Sequence, residues 1–148
     1  MNALVVYDTK TGMTEKIAMA IATGIKDSGM EVSTKRAEEV SEEDFRNAEV
    51  WVIGAPTHVG GPTGPAKRAL KSAIKAGASG KKGTAFDTRF ANINKGATDK
   101  LSKLMKEAGM QMVVEPQWFV VTGMKGPLAD GEEAKAKEFG AKIASASR

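Results

Sequence analysis

Hydroxyl side chains crowd into one short segment near the start of the chain, Asp8-Thr9-Lys10-Thr11-Gly12-Met13-Thr14. The segment follows an apolar run and opens an amphipathic one. Thr9, Thr11 and Thr14 supply hydroxyl donors, and a helix beginning there adds free backbone N–H groups. Gly12 lets a ligand approach the backbone closely. Such a turn suits a phosphate. It has neither the Gly-x-x-x-x-Gly-Lys-Ser/Thr spacing of nucleoside triphosphatases nor the Gly-x-Gly-x-x-Gly of dinucleotide folds. From the residues alone, a Thr-rich capping turn without a ligand stands on equal terms.

Two later segments carry similar potential. Gly54-Ala55-Pro56-Thr57-His58-Val59-Gly60-Gly61-Pro62 holds the only histidine, which could also be a plain exposed loop residue. Phe86-Asp87-Thr88-Arg89-Phe90-Ala91-Asn92 offers polar groups at Asp87, Thr88 and Arg89 and a ring at Phe90. The bland alternative for Arg89 is a surface arginine paired with Asp87.

Composition narrows the chemistry. Cysteine is absent, which removes disulfides, thiol catalysis, thiolate-held iron–sulfur clusters and Cys-type zinc sites. With a single histidine, a multi-histidine metal site is also disfavoured, so redox chemistry here needs an organic cofactor. Lys and Arg total 22 against 18 Asp and Glu, a formal charge of +4. That excess is too mild to argue for nucleic acid. No apolar run approaches the roughly 18–20 residues that cross a bilayer. The N-terminus lacks the basic stretch of a secretory signal, so a cytoplasmic protein is expected.

The elements that must position these segments follow from periodicity. Ala3–Tyr7 and Val50–Ala55 are continuous apolar runs, as in strands buried on both faces. Met30–Arg36 alternates and reads as an edge strand, Lys82–Phe86 as a fourth strand, and Met112–Val121 as a fifth, broken at Glu115-Pro116-Gln117. Ile17, Ala18, Ile21, Ala22 and Ile25 recur at helical spacing, ending near Gly29. A short helix starts at Ser41. Others carry Ala66 to Ile74 with Pro65 in the first turn, Ala97 to Ala108 closed by Gly109, and Ala136 to Ala144. Five strands alternating with five helices over 148 residues predict a single domain, residues 1–148, with a parallel sheet covered on both faces. Either half of a dinucleotide fold or the order 2-1-3-4-5 fits. In both, ligands sit at the carboxyl ends of the strands.

Thr-x-Thr-Gly-x-Thr directly after the first strand resembles the FMN phosphate loop of flavodoxins, and the likeness extends over the chain through its length and element order. The resemblance implies a flavodoxin-like α/β three-layer sandwich, with a five-stranded parallel sheet of order 2-1-3-4-5 and helices on both faces. It assigns the FMN phosphate to Thr9, Thr11, Gly12 and Thr14, with Lys10 and Met13 at the variable positions. Lys10 there either adds attraction or faces solvent. The Gly-x-Pro-Thr at residues 54–57 is similar to the flavodoxin-like domains of flavodiiron proteins and quinone reductases. By that likeness Pro56, Thr57, His58, Val59, Gly60 and Gly61 would lie against the flavin ring, with Gly60 presenting a carbonyl to its N5 edge. Asp87, Thr88, Arg89 and Phe90 would meet the pyrimidine end. Arg89 as a cation near N1 and O2 would favour the reduced flavin. The usual tryptophan and tyrosine that cover the ring are missing. Trp51, Trp118 and Phe119 are expected to pack, with Trp118 alternatively reaching the flavin.

The resemblance therefore implies a non-covalent FMN carrier moving electrons between redox partner proteins, with no substrate reaction of its own. A flavin-dependent NAD(P)H:quinone reductase is the enzymatic alternative, though the late insertion of such enzymes is not seen. A flavodoxin-like interaction module that has lost FMN is the third. Neither nucleic acid nor membrane is expected as a partner, and the protein is expected to be a monomer. Lys67, Lys71 and Lys75, four residues apart with Arg68, Lys81 and Lys82 nearby, read as a solvated face or as a dock for an acidic redox partner. The basic charge sets this chain apart from the typically acidic flavodoxins.

Overall fold

Alternation along the first strand decides which side chains go to which layer. In the computed structural model, which describes residues 1–148, β1 (Asn2–Tyr7) sends Ala3, Val5 and Tyr7 to one face and Leu4 and Val6 to the other. All five are buried. β3 (Val50–His58) repeats the pattern, with Val50 and Val52 on the first face and Trp51, Ile53 and Ala55 on the second. A strand apolar at every position thus needs a helical layer on each side.

Helices α1 (Met13–Asp27) and α5 (Glu132–Ser147) cover the first face, and α2 (Glu42–Arg46), α3 (Gly64–Gly77) and α4 (Ala97–Glu107) cover the second. Ile17, Ile21, Ile25, Phe139 and Ile143 fill the first layer. Each such large apolar side chain contributes about 1.5–3 kcal/mol on full burial. Trp51 anchors the second layer, its indole N–H donating to the Phe45 and Ala48 carbonyls at 2.9 and 3.1 Å. α1 and α5 meet at two glycines. A Cβ on Gly24 would stand 1.9 Å from the Lys137 carbonyl oxygen, and one on Gly140 would stand 2.1 Å from that of Ile21. Only glycine permits this approach.

β2 (Glu31–Arg36) pairs parallel with β1, β1 with β3, and β3 with β5 (Lys82–Phe90). The fifth position is shared by β6 (Gln111–Met112) and β7 (Gln117–Val121), both parallel to β5. The interruption spans residues 113–116, taking in Glu115 and Pro116 of the expected break at Glu115-Pro116-Gln117, while Gln117 opens β7. A two-residue antiparallel strand, β4 (Gly61–Pro62), folds back on β3. The sheet therefore has more than five strands, but its parallel core runs β2-β1-β3-β5-β6/β7, which is the order 2-1-3-4-5 once β4 is left out and β6 and β7 count as one position. This is the flavodoxin-like order. Half of a dinucleotide fold is excluded.

Two strands run further than their apolar content suggested. β3 continues to His58 and β5 to Phe90 because their pairing continues through Ala55↔Asp87 and Pro56↔Thr88, and β7 extends the ladder to Phe90↔Val121. Asp87, Thr88 and Arg89 accordingly belong to a strand and not to the loop after it, and all three are buried. No helix is long and apolar enough to cross a membrane.

Candidate functional site

A cavity of about 550 Å³ opens at the carboxyl ends of β1, β3, β5 and β7. One end is the segment before α1. Thr9 Oγ1 accepts the Gly12 N–H at 2.9 Å, which curls the segment into a tight turn. Gly12 sits at the helix N-cap with φ 93°, in the left-handed region that glycine tolerates. No side chain caps the helix, and the amides of Met13, Thr14 and Glu15 find no protein acceptor. These are the free donors that every helix start leaves over, here facing a cavity lined by Thr11, Met13 and Thr14. The buried Thr14 hydroxyl also meets that of Thr88 at 2.8 Å, tying the helix start to β5.

The second wall is the β3–β4 hairpin. Val59 and Gly60 both have positive φ, 50° and 77°, at its tip. Both central residues of a type I′ turn need that conformation, which glycine and asparagine adopt easily and a β-branched residue does not. Val59 is also 95% exposed. The buried Asp8 carboxylate accepts the Thr63 hydroxyl, joining the first segment to the base of this hairpin. Thr57 Oγ1 accepts the Ala97 N–H at 3.1 Å, joining the hairpin to the start of α4.

The third wall comes from β5 and its loop. Arg89 does not stand as a free cation. Its Nε donates to Asp87 Oδ1 at 2.8 Å and its Nη2 to Asp87 Oδ2 at 2.7 Å, with a further bond to Thr98 Oγ1 at 3.2 Å. Asp87 Oδ2 also accepts the Thr98 N–H at 2.9 Å. The Arg89 guanidinium lies over the Trp118 ring, with Cζ 4.6 Å from its centroid. Hydrogen bonding to Asp87 holds the Arg89 pKa above its ordinary value, against the opposing effect of burial. The pairing with Asp87 that the bland alternative named is present, but Arg89 is buried and does not lie at the surface. Trp118 is half-exposed beside this pair and does not line the cavity.

All the candidate residues except Thr9, Gly12, Gly61 and Asp87 line the one cavity. Those four stand just behind the wall: Thr9 and Gly12 shape the first turn, Gly61 forms β4, and Asp87 backs Arg89. Thr63, Ile93, Lys95, Val121, Gly123 and Met124 also line the cavity, outside the candidates that the residue pattern marks. Ile93 and Lys95 simply continue the third segment. Val121, Gly123 and Met124 follow the last parallel strand, and the rule that ligands sit at carboxyl ends applies to that strand too. Thr122 ties their loop back on itself, its N–H and hydroxyl both donating to the Pro127 carbonyl at 2.9 and 2.8 Å.

Comparison with known proteins places this geometry in a family. The model of the family described as flavodoxin matches residues 5–141. The chain belongs to the flavodoxin family. It is 32% identical over 100 residues to a flavodoxin of Clostridium saccharobutylicum, covering 67% of this chain and 61% of that protein. It is 40% identical over 60 residues to one of Aquifex aeolicus, covering 40% of this chain and 32% of that protein. The chain thus spans less than two thirds of either relative. A solved structure of a flavodoxin from the domain Archaea superimposes with a TM-score of 0.87 at 23% identity, covering 100% of both chains. Flavodoxin family proteins bind FMN and transfer electrons to redox partner proteins.

The residues present fit that cofactor. The unclaimed amides of α1 with the Thr11 and Thr14 hydroxyls match a phosphate. The apolar surfaces of Pro56, Val59, Phe90 and Met124 match a flat ring, and Thr88 and Arg89 match its polar edge.

Proposed function

We propose that the cavity binds FMN non-covalently and that the protein carries electrons between redox partner proteins, with no substrate reaction of its own. The observation that carries this reading is the start of α1, uncapped and rich in hydroxyls, opening into a cavity with apolar walls. Thr11, Thr14 and the amides of Met13 and Thr14 would hold the phosphate, with Thr9 and Gly12 setting the turn. Lys10 would add attraction from the cavity rim. His58, Val59, Gly60 and Phe90 would lie against the ring, with Thr88 and Arg89 at its pyrimidine edge. Bound FMN supplies the electron-accepting chemistry. The chain's own residues bind it, orient it and keep water from its apolar faces.

The partner follows from charge. Lys10 and Lys95 line the cavity and Lys125 adjoins it next to Met124, all three exposed and none within salt-bridge distance of a carboxylate. An acidic partner docking at this mouth would meet cations around an apolar rim of Val59, Phe90 and Met124. The reading has the protein acting as a monomer. The same reading places it in the cytoplasm.

Titration of the apoprotein with FMN, followed by flavin fluorescence, tests the binding. Saturable one-to-one uptake that weakens in Thr11→Ala and Thr14→Ala is the expected result. No uptake would make the chain an interaction module that has lost FMN. Oxidation of NAD(P)H with a quinone and no partner reductase would replace the carrier with a reductase.

A further inference from the structure

The Asp87–Arg89 pair is more elaborate than packing requires. Its side chains are 0% and 3% exposed. Three of the partners that surround it come from elsewhere in the chain: the Thr98 hydroxyl and N–H at the start of α4, and the Trp118 ring on β7. Gly96 leaves the room it needs, for a Cβ there would stand 2.4 Å from Arg89 Nη2. A buried ion pair is on balance no more stabilising than apolar side chains of similar volume. So much positioning calls for another reason.

Hydrogen-bond accounting supplies one. Nε and Nη2 of Arg89 are committed to Asp87 and Thr98, while Nη1 donates to no atom of the protein. No fully buried side-chain nitrogen or oxygen lacks a partner, so Nη1 is not sealed in. Arg89 forms part of the cavity wall, which is where that nitrogen can find an acceptor.

We propose that Asp87 and Arg89 act as one neutral unit toward FMN: Arg89 Nη1 donates to a carbonyl oxygen on the pyrimidine half of the ring, while Asp87 fixes that donor and cancels its charge. This rests on the FMN reading above. Reduction places negative charge on that half of the flavin, so a lone cation beside it would favour the reduced form and a lone anion would oppose it. The neutral pair supplies a directed hydrogen bond without either bias. Asp87 is a positioning residue here, acting only through Arg89.

The test measures dissociation constants of oxidised and fully reduced FMN for the wild-type apoprotein, Asp87→Asn, Arg89→Gln and the double variant. Asp87→Asn should shift the ratio of the two constants about tenfold toward reduced FMN, which for a two-electron couple is about 30 mV. Arg89→Gln should shift it comparably the other way. The double variant, neutral at both positions, should return to within about threefold of the wild type, because the two opposite charge changes cancel. Urea unfolding establishes which variants fold. If Asp87→Asn does not, the comparison of Arg89→Gln with the double variant decides on its own. Single variants that fold but leave the ratio unmoved, or shift it in the same direction, overturn the proposal. So does a double variant that fails to restore it. A wild-type protein that takes up neither form of FMN brings down the FMN reading itself.

Discussion

Gly96→Ala gives a sharp reading of how tightly the site is built. Gly96 has φ −137° and ψ −170°, extended backbone that alanine adopts freely, so no dihedral strain enters. By itself the change would stabilise by about 0.4–1 kcal/mol, because alanine leaves the unfolded chain less freedom. Against this stands the new methyl, 2.4 Å from Arg89 Nη2 and 2.6 Å from both Arg89 Cζ and Asp87 Oδ2. The guanidinium cannot swing aside without lengthening its bonds to Asp87 and Thr98 and leaving the Trp118 ring. Overpacking of this kind costs about 1–3 kcal/mol, and weakening a hydrogen bond to a charged group adds up to about 1.5–3 kcal/mol. The overlap wins. The expected net loss is about 1–5 kcal/mol, read as a lower urea midpoint at unchanged slope. FMN affinity should fall with it. Gly61→Ala is the matched control, since a Cβ there meets nothing within 4 Å. A Gly96→Ala protein as stable as Gly61→Ala, with unaltered FMN affinity, would refute the reasoning.

Gly24→Ala sets a helix-propensity gain of about 1 kcal/mol against a Cβ 1.9 Å from the Lys137 backbone oxygen. Backbone cannot yield as a side chain does, so urea unfolding should show a net loss of about 1–3 kcal/mol. Val59→Asn should raise stability by about 1 kcal/mol, because asparagine tolerates the positive φ that strains a β-branched residue; a lower midpoint would contradict the turn assignment. Thr14→Val leaves the buried Thr88 hydroxyl without its partner, costing about 1–3 kcal/mol, and should weaken FMN phosphate binding by calorimetry. Burial, then the hydrogen bond to Glu15, pushes the Tyr7 pKa up to about 12 from 10.0. Between those values the folded protein keeps a proton that the unfolded chain releases, so stability is intact below about pH 10 and declines as pH rises toward 12. In Tyr7→Phe that part of the decline should vanish from pH-dependent unfolding curves.

Much of the fold and part of the site can be read along the chain, because the signals are local. Continuous apolar runs mark β1 and β3, period-3.6 stripes mark the long helices, and Ser41 begins α2 with a capping box that needs only Ser41 and Asp44. The segment from Asp8 to Thr14 is also local: hydroxyl spacing, a glycine at φ 93° and an uncapped helix start all lie in consecutive residues. Strand ends were harder to place. Asp87 and Arg89 look like loop residues in isolation, since charged side chains seldom sit in a buried strand.

What the sequence determined by itself is the element alternation, the parallel core order within two choices, and the first segment of the site. Tertiary structure decided the rest. It selected the order 2-1-3-4-5 over the dinucleotide arrangement, and it brought Val121, Gly123 and Met124 into the cavity from the far end of the chain. It also turned Arg89 from an apparent surface cation into half of a neutral buried pair. That outcome depends on Thr98 and Trp118, which reach Arg89 only once α4 and β7 are packed against β5. Residue spacing reveals a group's chemistry, but its charge state and direction depend on neighbours that only packing supplies.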